Sequence, residues 1–188
     1  AVLRLVPASA GAVSWIGKDL LSMKPRALEE VREDLQIVFQ DPLASLNPRM
    51  TIGASIAEPM LTFRKTMSSK EREAEVKAMM ERVGLDPNMI NRYPHELSGG
   101  QNQRVGIARA MILKPKLVIC DEAVSALDVS IQAQIIELLI GLQKDFGLSM
   151  MFISHDLSVV REVSHRVMVL YLGRIVELAD REAIYTDA

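Results

Sequence analysis

The sequence predicts an α/β fold in which a parallel sheet is interrupted by an α-helical insert. Two observations lead there. Compact apolar runs at Leu35–Phe39, Leu117–Cys120 and Leu148–Ile153 are separated by segments of helical period. The stretch 41–114 between the first two runs is mainly helical, whereas strand and helix alternate on either side of it. The expected organisation is one domain over 1–188, with 1–40 and 115–188 as the α/β core and 41–114 as a helical subdomain. Ligands in such sheets sit at the carboxyl ends of the strands, where Asp121-Glu122 and Ser154-His155 fall.

In chain order, Leu3–Val6 reads as the last turn of a helix ended by Pro7. Ala12–Ile16 reads as a short strand and Gly17-Lys18-Asp19 as a turn. Leu35–Phe39 is a strand that runs into Gln40-Asp41-Pro42. Val76, Met79, Met80 and Val83 recur at the spacing of one buried helix face, and Ser68 with Glu71 makes a capping box. Gly84 and Pro87 end that helix. Another helix follows Ser98 and runs to about Leu113. Leu117–Cys120, continuously apolar, has the pattern of a strand buried on both faces. Ile131, Ile135, Leu138, Leu139 and Leu142 mark an amphipathic helix, and Leu148–Ile153 a second buried strand. Arg166–Leu172 and Arg174–Leu178 are strands joined at Gly173, and Asp180–Ala188 is a short helix.

The composition is that of an ordinary globular domain: 188 residues, 49% hydrophobic, formal net charge −2. So balanced a charge gives no broad attraction to nucleic acid, and no basic run occurs. The single cysteine, Cys120, cannot form an intrachain disulfide, which suits a reducing compartment. No apolar stretch approaches the roughly 18–20 residues that cross a bilayer. The opening AVLRLVPASAGAV has no basic flank before a long apolar run, so it does not read as a signal peptide.

Four short segments carry candidate chemistry. In Leu117-Val118-Ile119-Cys120-Asp121-Glu122, a buried strand ends in two carboxylates. They either face a cation and a reacting water or cap the next element in solvent. In Leu97-Ser98-Gly99-Gly100-Gln101, two glycines at a helix start permit close approach to a phosphate, yet Ser98 and Gln101 also satisfy a capping box without any ligand. Gln40 follows a strand, as many loop residues do. His155 lies in Ile153-Ser154-His155-Asp156, where a lone histidine is often structural.

Taken together and in this order, these segments resemble the ATPase family of ABC transporters along the whole chain. The resemblance rests on Gln40 as the Q-loop glutamine, Leu97–Gln101 as the signature, and Asp121 with Glu122 on a Walker B strand. Ser125-Ala126-Leu127-Asp128 matches the D-loop and His155 the switch histidine. It implies a P-loop-NTPase-like cassette core that uses ATP and Mg²⁺. By that resemblance Asp121 and Gln40 attend the metal, and Glu122 is the base that polarises the attacking water. Ser98, Gly99 and Gly100 meet the γ-phosphate of ATP held by a partner cassette, and Leu97 and Gln101 belong to the same cofactor-binding segment. Asp128 couples the two sites, and His155 contacts the γ-phosphate.

The resemblance narrows further. Phe39–Thr51 (FQDPLASLNPRMT), Arg92–Glu96 (RYPHE), SALDVSIQAQ from Ser125 and MVLYLG from Met168 are similar to the dipeptide, oligopeptide and nickel importer ATPases. The implied function is the energy-coupling ATPase of a peptide importer, with glutathione, nickel or another small solute as alternatives. The implied partners are a second cassette (a heterodimer more than a homodimer), transmembrane permease subunits and, indirectly, a periplasmic or extracellular solute-binding protein. No nucleic-acid partner is expected. The implied place is peripheral, on the cytoplasmic face of the bacterial inner membrane. Other readings are a soluble ABC protein acting on nucleic acid or ribosomes, and a non-catalytic cassette.

Two departures and one gap qualify the match. Ala123 stands where the family usually has proline, which frees a backbone N–H at that turn. Asn102, after the signature, carries no expectation. A phosphate-cradling G-x-x-x-x-G-K-[ST] loop is not found. Its nearest candidate, Gly11–Asp19, has five residues between its glycines and aspartate in place of the hydroxyl residue. The resemblance places that loop upstream of the stretch matching Ala1–Pro7. The sequence is therefore expected to be an N-terminally truncated fragment that does not hydrolyse ATP alone.

Overall fold

The computed structural model describes residues 3–186. A two-stranded antiparallel hairpin, β1 (Ser14–Trp15) and β2 (Lys18–Asp19), precedes helix α1 (Pro25–Asp34) and strand β3 (Leu35–Val38). Four helices follow: α2 (Pro42–Ser45), α3 (Ile52–Phe63), α4 (Ser69–Arg82) and α5 (Gly99–Met111). Short 3₁₀ turns at Pro87–Asn91 and Pro94–Glu96 separate the last two. The chain then gives β4 (Leu117–Asp121), α6 (Val129–Phe146), β5 (Ser149–Ile153) and α7 (Leu157–Val163). It closes with β6 (Arg166–Tyr171), β7 (Arg174–Asp180) and α8 (Arg181–Thr186). The last two residues assigned to the C-terminal helix from sequence lie outside the described residues.

β3, β4 and β5 form a parallel sheet in that order, with Val38 opposite Cys120 and Asp121 opposite Ile153. The central strand β4 is covered on both sides. Val118 and Cys120 join the main core with α3–α6, and Ile119 points the other way into a smaller cluster with Leu3, Leu20, Val31 and Leu35. That alternation is the period of two of a pleated strand, and it explains why the run reads as uniformly apolar.

Local chemistry sets the helix ends. Ser68 accepts from the Glu71 N–H and Glu71 from the Ser68 N–H, completing the capping box of α4. Gly84, at φ +73°, turns the chain out of that helix while the Leu85 N–H returns to the Met80 carbonyl. Val76, Met79, Met80 and Val83 are all buried.

The structure differs from the sequence reading at several elements. Leu3–Val6 forms turns and bends, not a helical turn. Lys18-Asp19 is strand β2 rather than turn, because the reversal occurs at Ile16-Gly17, both at positive φ. Helix α1 went unread; its signal was Pro25 at the first helical position, followed by Leu28 and Val31. Strand β5 is only partly buried, since it is the edge of the sheet. Strands β6 and β7 pair with each other alone and are largely exposed.

Candidate functional site

Strands β4 and β5 are in register, so the segments that follow them emerge side by side. The first is Asp121-Glu122 and the second Ser154-His155. Glu122 breaks the strand with φ +46°, a left-handed conformation that costs a residue with a Cβ roughly 1–2 kcal/mol. The turn is held around it. The Glu122 N–H donates to the Ile153 carbonyl at 2.9 Å, and the Ser125 N–H and hydroxyl donate to the Glu122 carbonyl at 3.1 and 3.0 Å.

This turn aims the Glu122 carboxylate at two residues distant in sequence. Gln40 Nε2 donates to Oε2 at 2.9 Å, and His155 Nδ1 lies 3.2 Å from Oε1. A carboxylate only accepts, so the histidine donates from Nδ1. Gln40 and His155 are exposed and Glu122 is partly so, leaving the group open on one side. Two of the roughly four lone-pair positions of the carboxylate stay free. A cavity of about 60 Å³ lies beside it, lined by Glu122, Ser125, Gln132, Ser154 and His155 among others. That space suits water rather than a nucleotide.

Leu97, Ser98, Gly99, Gly100 and Gln101 form the start of α5. Ser98 and Gln101 make the reciprocal capping box, at 3.3 and 2.9 Å, so the sequence's ligand-free alternative is present as structure. The capping is compatible with an anion site, because Ser98 and Gly99 remain exposed at a helix N-terminus. Both glycines sit against the segment following Glu122. A Cβ on Gly99 would lie 3.8 Å from Leu127 Cδ2, and one on Gly100 only 2.8 Å from Ile131 Cγ2. Asp128 precedes α6, is exposed, and makes no side-chain cap hydrogen bond.

The structure thus brings Gln40, Glu122 and His155 into direct contact, and packs the start of α5 on Leu127 and Ile131. Asp121 sits at the end of β4, partly exposed, without a hydrogen bond to that trio. Lys18, weighed and rejected as a phosphate lysine, is an exposed residue of the β1–β2 hairpin.

Two residues of α5 escaped the sequence reading. Asn102 is 1% exposed, and its Nδ2 donates to the Pro94 and Leu97 carbonyls at 2.9 and 3.4 Å, tying down the segment before Ser98. Gln103 is equally buried, and its Nε2 donates to the Ala123 carbonyl at 2.6 Å. The available signal was polarity: Asn102 and Gln103 are amides within a helix whose neighbours Val105–Ala108 are wholly buried.

Comparison with known proteins adds the following. The pattern of the ABC transporter family matches residues 1–125. The chain is 62% identical over 185 residues to the oligopeptide transport ATP-binding protein OppF of Escherichia coli (strain K12), covering 98% of this chain and 55% of that protein. It is 53% identical over 187 residues to the glutathione import ATP-binding protein GsiA of the same strain, covering all of this chain and 30% of that one. The chain therefore spans about half, or less, of the length of the curated relatives it matches. Among solved structures it resembles a dimeric ATP-binding cassette in a post-hydrolysis state bound to ADP and Pi. The TM-score is 0.81 at 28% identity, over 92% of this chain and 74% of that one.

Proposed function

The chain belongs to the ABC transporter family, and from that premise we propose that it is part of the ATP-hydrolysing, energy-coupling subunit of an oligopeptide importer. The contact of Glu122 with Gln40 and His155 carries this reading. It gathers a carboxylate base, an amide and an imidazole at the carboxyl ends of three parallel strands. In the proposed reaction Glu122 takes a proton from a water beside it, a role worth about 10²–10⁴-fold in rate. His155, donating to Glu122 through Nδ1, holds the carboxylate's orientation and keeps Nε2 for the γ-phosphate side of the site.

The donor chemistry here fits Mg²⁺. Asp121 offers a carboxylate, and Gln40, which donates through Nε2, keeps its Oε1 for a cation. Among the described residues no three His, Cys, Asp or Glu side chains form a metal cage. When bound, Mg²⁺ would neutralise charge on the transferred phosphoryl group.

Ser98 and Gly99 at the start of α5 are exposed, as is Asp128, whose carboxylate makes no cap bond; residues that complete a partner's site must be open in this way. We assign them to a head-to-tail sandwich with a second cassette, in which they approach ATP held by the partner. That the solved cassette is dimeric supports pairing with a second cassette. Among the described residues no helix is long and apolar enough to cross a membrane. Coupling to transport would therefore run through permease subunits, with a solute-binding protein acting on them, at the cytoplasmic face of a bacterial membrane. The domain division into 41–114 and the flanking core is part of the same proposal. It is supported by the succession α2–α5 between β3 and β4.

The relation to GsiA supports a second reading, in which the imported solute is glutathione. Two measurements on the complete gene product, assembled with its permease, test the proposal. Mg-ATP turnover that is lost in Glu122→Gln supports the catalytic reading, and turnover untouched by that change overturns it. Uptake of a labelled pentapeptide rather than glutathione supports the oligopeptide reading, and the reverse selects the second.

A further inference from the structure

We propose that Gln103 is a positioning residue for Glu122, linking the helix that starts at the signature to the turn that aims the catalytic carboxylate. The inference rests on the catalytic reading of Glu122 and adds a residue that this reading does not contain.

The geometry is specific. Gln103 lies on α5 one helical turn beyond Gly99, with its side chain fully inside the protein. Its Nε2 donates at 2.6 Å to the carbonyl of Ala123, the residue directly after Glu122. Burying an amide is costly unless it is bonded, so the side chain is committed to its partner. The carbonyl it holds belongs to a turn under strain, because Glu122 is left-handed. Ala123 is itself buried and, unlike proline, leaves φ at this position free to vary. The Gln103 bond restrains the peptide plane that follows Ala123, next to the φ that proline would have fixed. It does so from the helix whose first turn presents Ser98 and Gly99 at the surface. In the proposed sandwich, a shift of α5 as it meets the partner's phosphate would pull on the Ala123 peptide and re-aim Glu122. Gln103 would thus connect the nucleotide bound across the interface with the base serving this chain's own site.

The test uses the complete ATPase with its permease and two variants. Gln103→Met keeps the length and removes the donor. Gln103→Leu is of similar volume, wholly apolar, and likewise has no donor. Both are expected to lower kcat at least 10-fold with KM for ATP within about two-fold of the parent. A readout without nucleotide accompanies this: amide hydrogen exchange across 122–127 is expected to quicken several-fold, while exchange in α4 is unchanged. A kcat within two-fold of the parent in either folded variant overturns the proposal, as does unchanged exchange across 122–127. If Gln103→Met fails to fold, Gln103→Leu alone decides by the same two readouts. Parent turnover that does not depend on Glu122 would overturn the catalytic reading itself. A parent dependent on Glu122 but indifferent to Gln103 overturns only the positioning role.

Discussion

Gln40 and Glu122 stand 82 positions apart and are joined by a 2.9 Å hydrogen bond from Nε2 to Oε2. The first follows β3 and the second follows β4, and the parallel pairing of Val38 with Cys120 sets them side by side. Any movement of the segment after β3 is therefore felt at the carboxylate proposed as base.

Gln40→Ala removes the Nε2 donor and frees one oxygen of Glu122. Turnover is expected to fall about 10-fold or more, with a smaller change in nucleotide affinity. Raising the Mg²⁺ concentration should recover part of the loss if Oε1 of Gln40 also serves the cation. Steady-state kinetics over a Mg²⁺ titration measures both effects.

His155→Ala removes the second restraint on Glu122, the Nδ1–H that donates to its carboxylate. A loss of about 10²–10³-fold in kcat is expected, comparable to removing one preorganised donor from a charged transition state. Because the ring is exposed, the melting temperature should stay within about a degree. A large stability change would assign His155 to the fold instead.

Ser68 and Ser98 make the same capping box on different helices, which separates capping from chemistry. Each serine-to-alanine change should cost about 1 kcal/mol in urea unfolding. Only Ser98→Ala should also reduce cooperative ATP turnover. Equal turnover in both variants would return the Leu97–Gln101 segment to its ligand-free reading.

Gly100 lies against Ile131, where an added Cβ would approach Cγ2 at 2.8 Å. Gly100→Ala should therefore overpack the α5–α6 contact and cost about 1–3 kcal/mol. Pairing it with Ile131→Ala should recover much of that stability, which a double-mutant cycle by chemical denaturation would reveal.

Burial pushes the Cys120 thiol up to about 12 from an ordinary value near 9. The folded state thus favours the neutral thiol, so this contribution to stability is intact below about pH 9 and declines as pH rises toward about 12. Alkylation by iodoacetamide at pH 8 should be slow in the native protein and fast in 6 M guanidinium. Fast native labelling would mean that β4 opens readily.

Much of the fold was legible because the signals were local. Leu117–Cys120 is apolar at every position and is the doubly covered strand. The boxes at Ser68 and Ser98 are written in residues three apart, and Gly84 ends its helix in a left-handed conformation that favours glycine over other residues. Helix α1 was missed because its charged sequence shows only two buried positions, and β5 was read as buried because periodicity does not reveal which strand lies at an edge. Motif order alone singled out Gln40, Asp121, Glu122 and His155 as a set. Tertiary structure decided which of them touch. Gln40 and His155 reach Glu122 because strand pairing closes gaps of 82 and 33 residues, whereas Asp121 remains apart from that contact. Gln103 shows the same division. A glutamine inside an apolar helix announces that it has a partner, since an unpaired buried amide is costly. Only the packing of α5 beneath the β4 turn names that partner as Ala123.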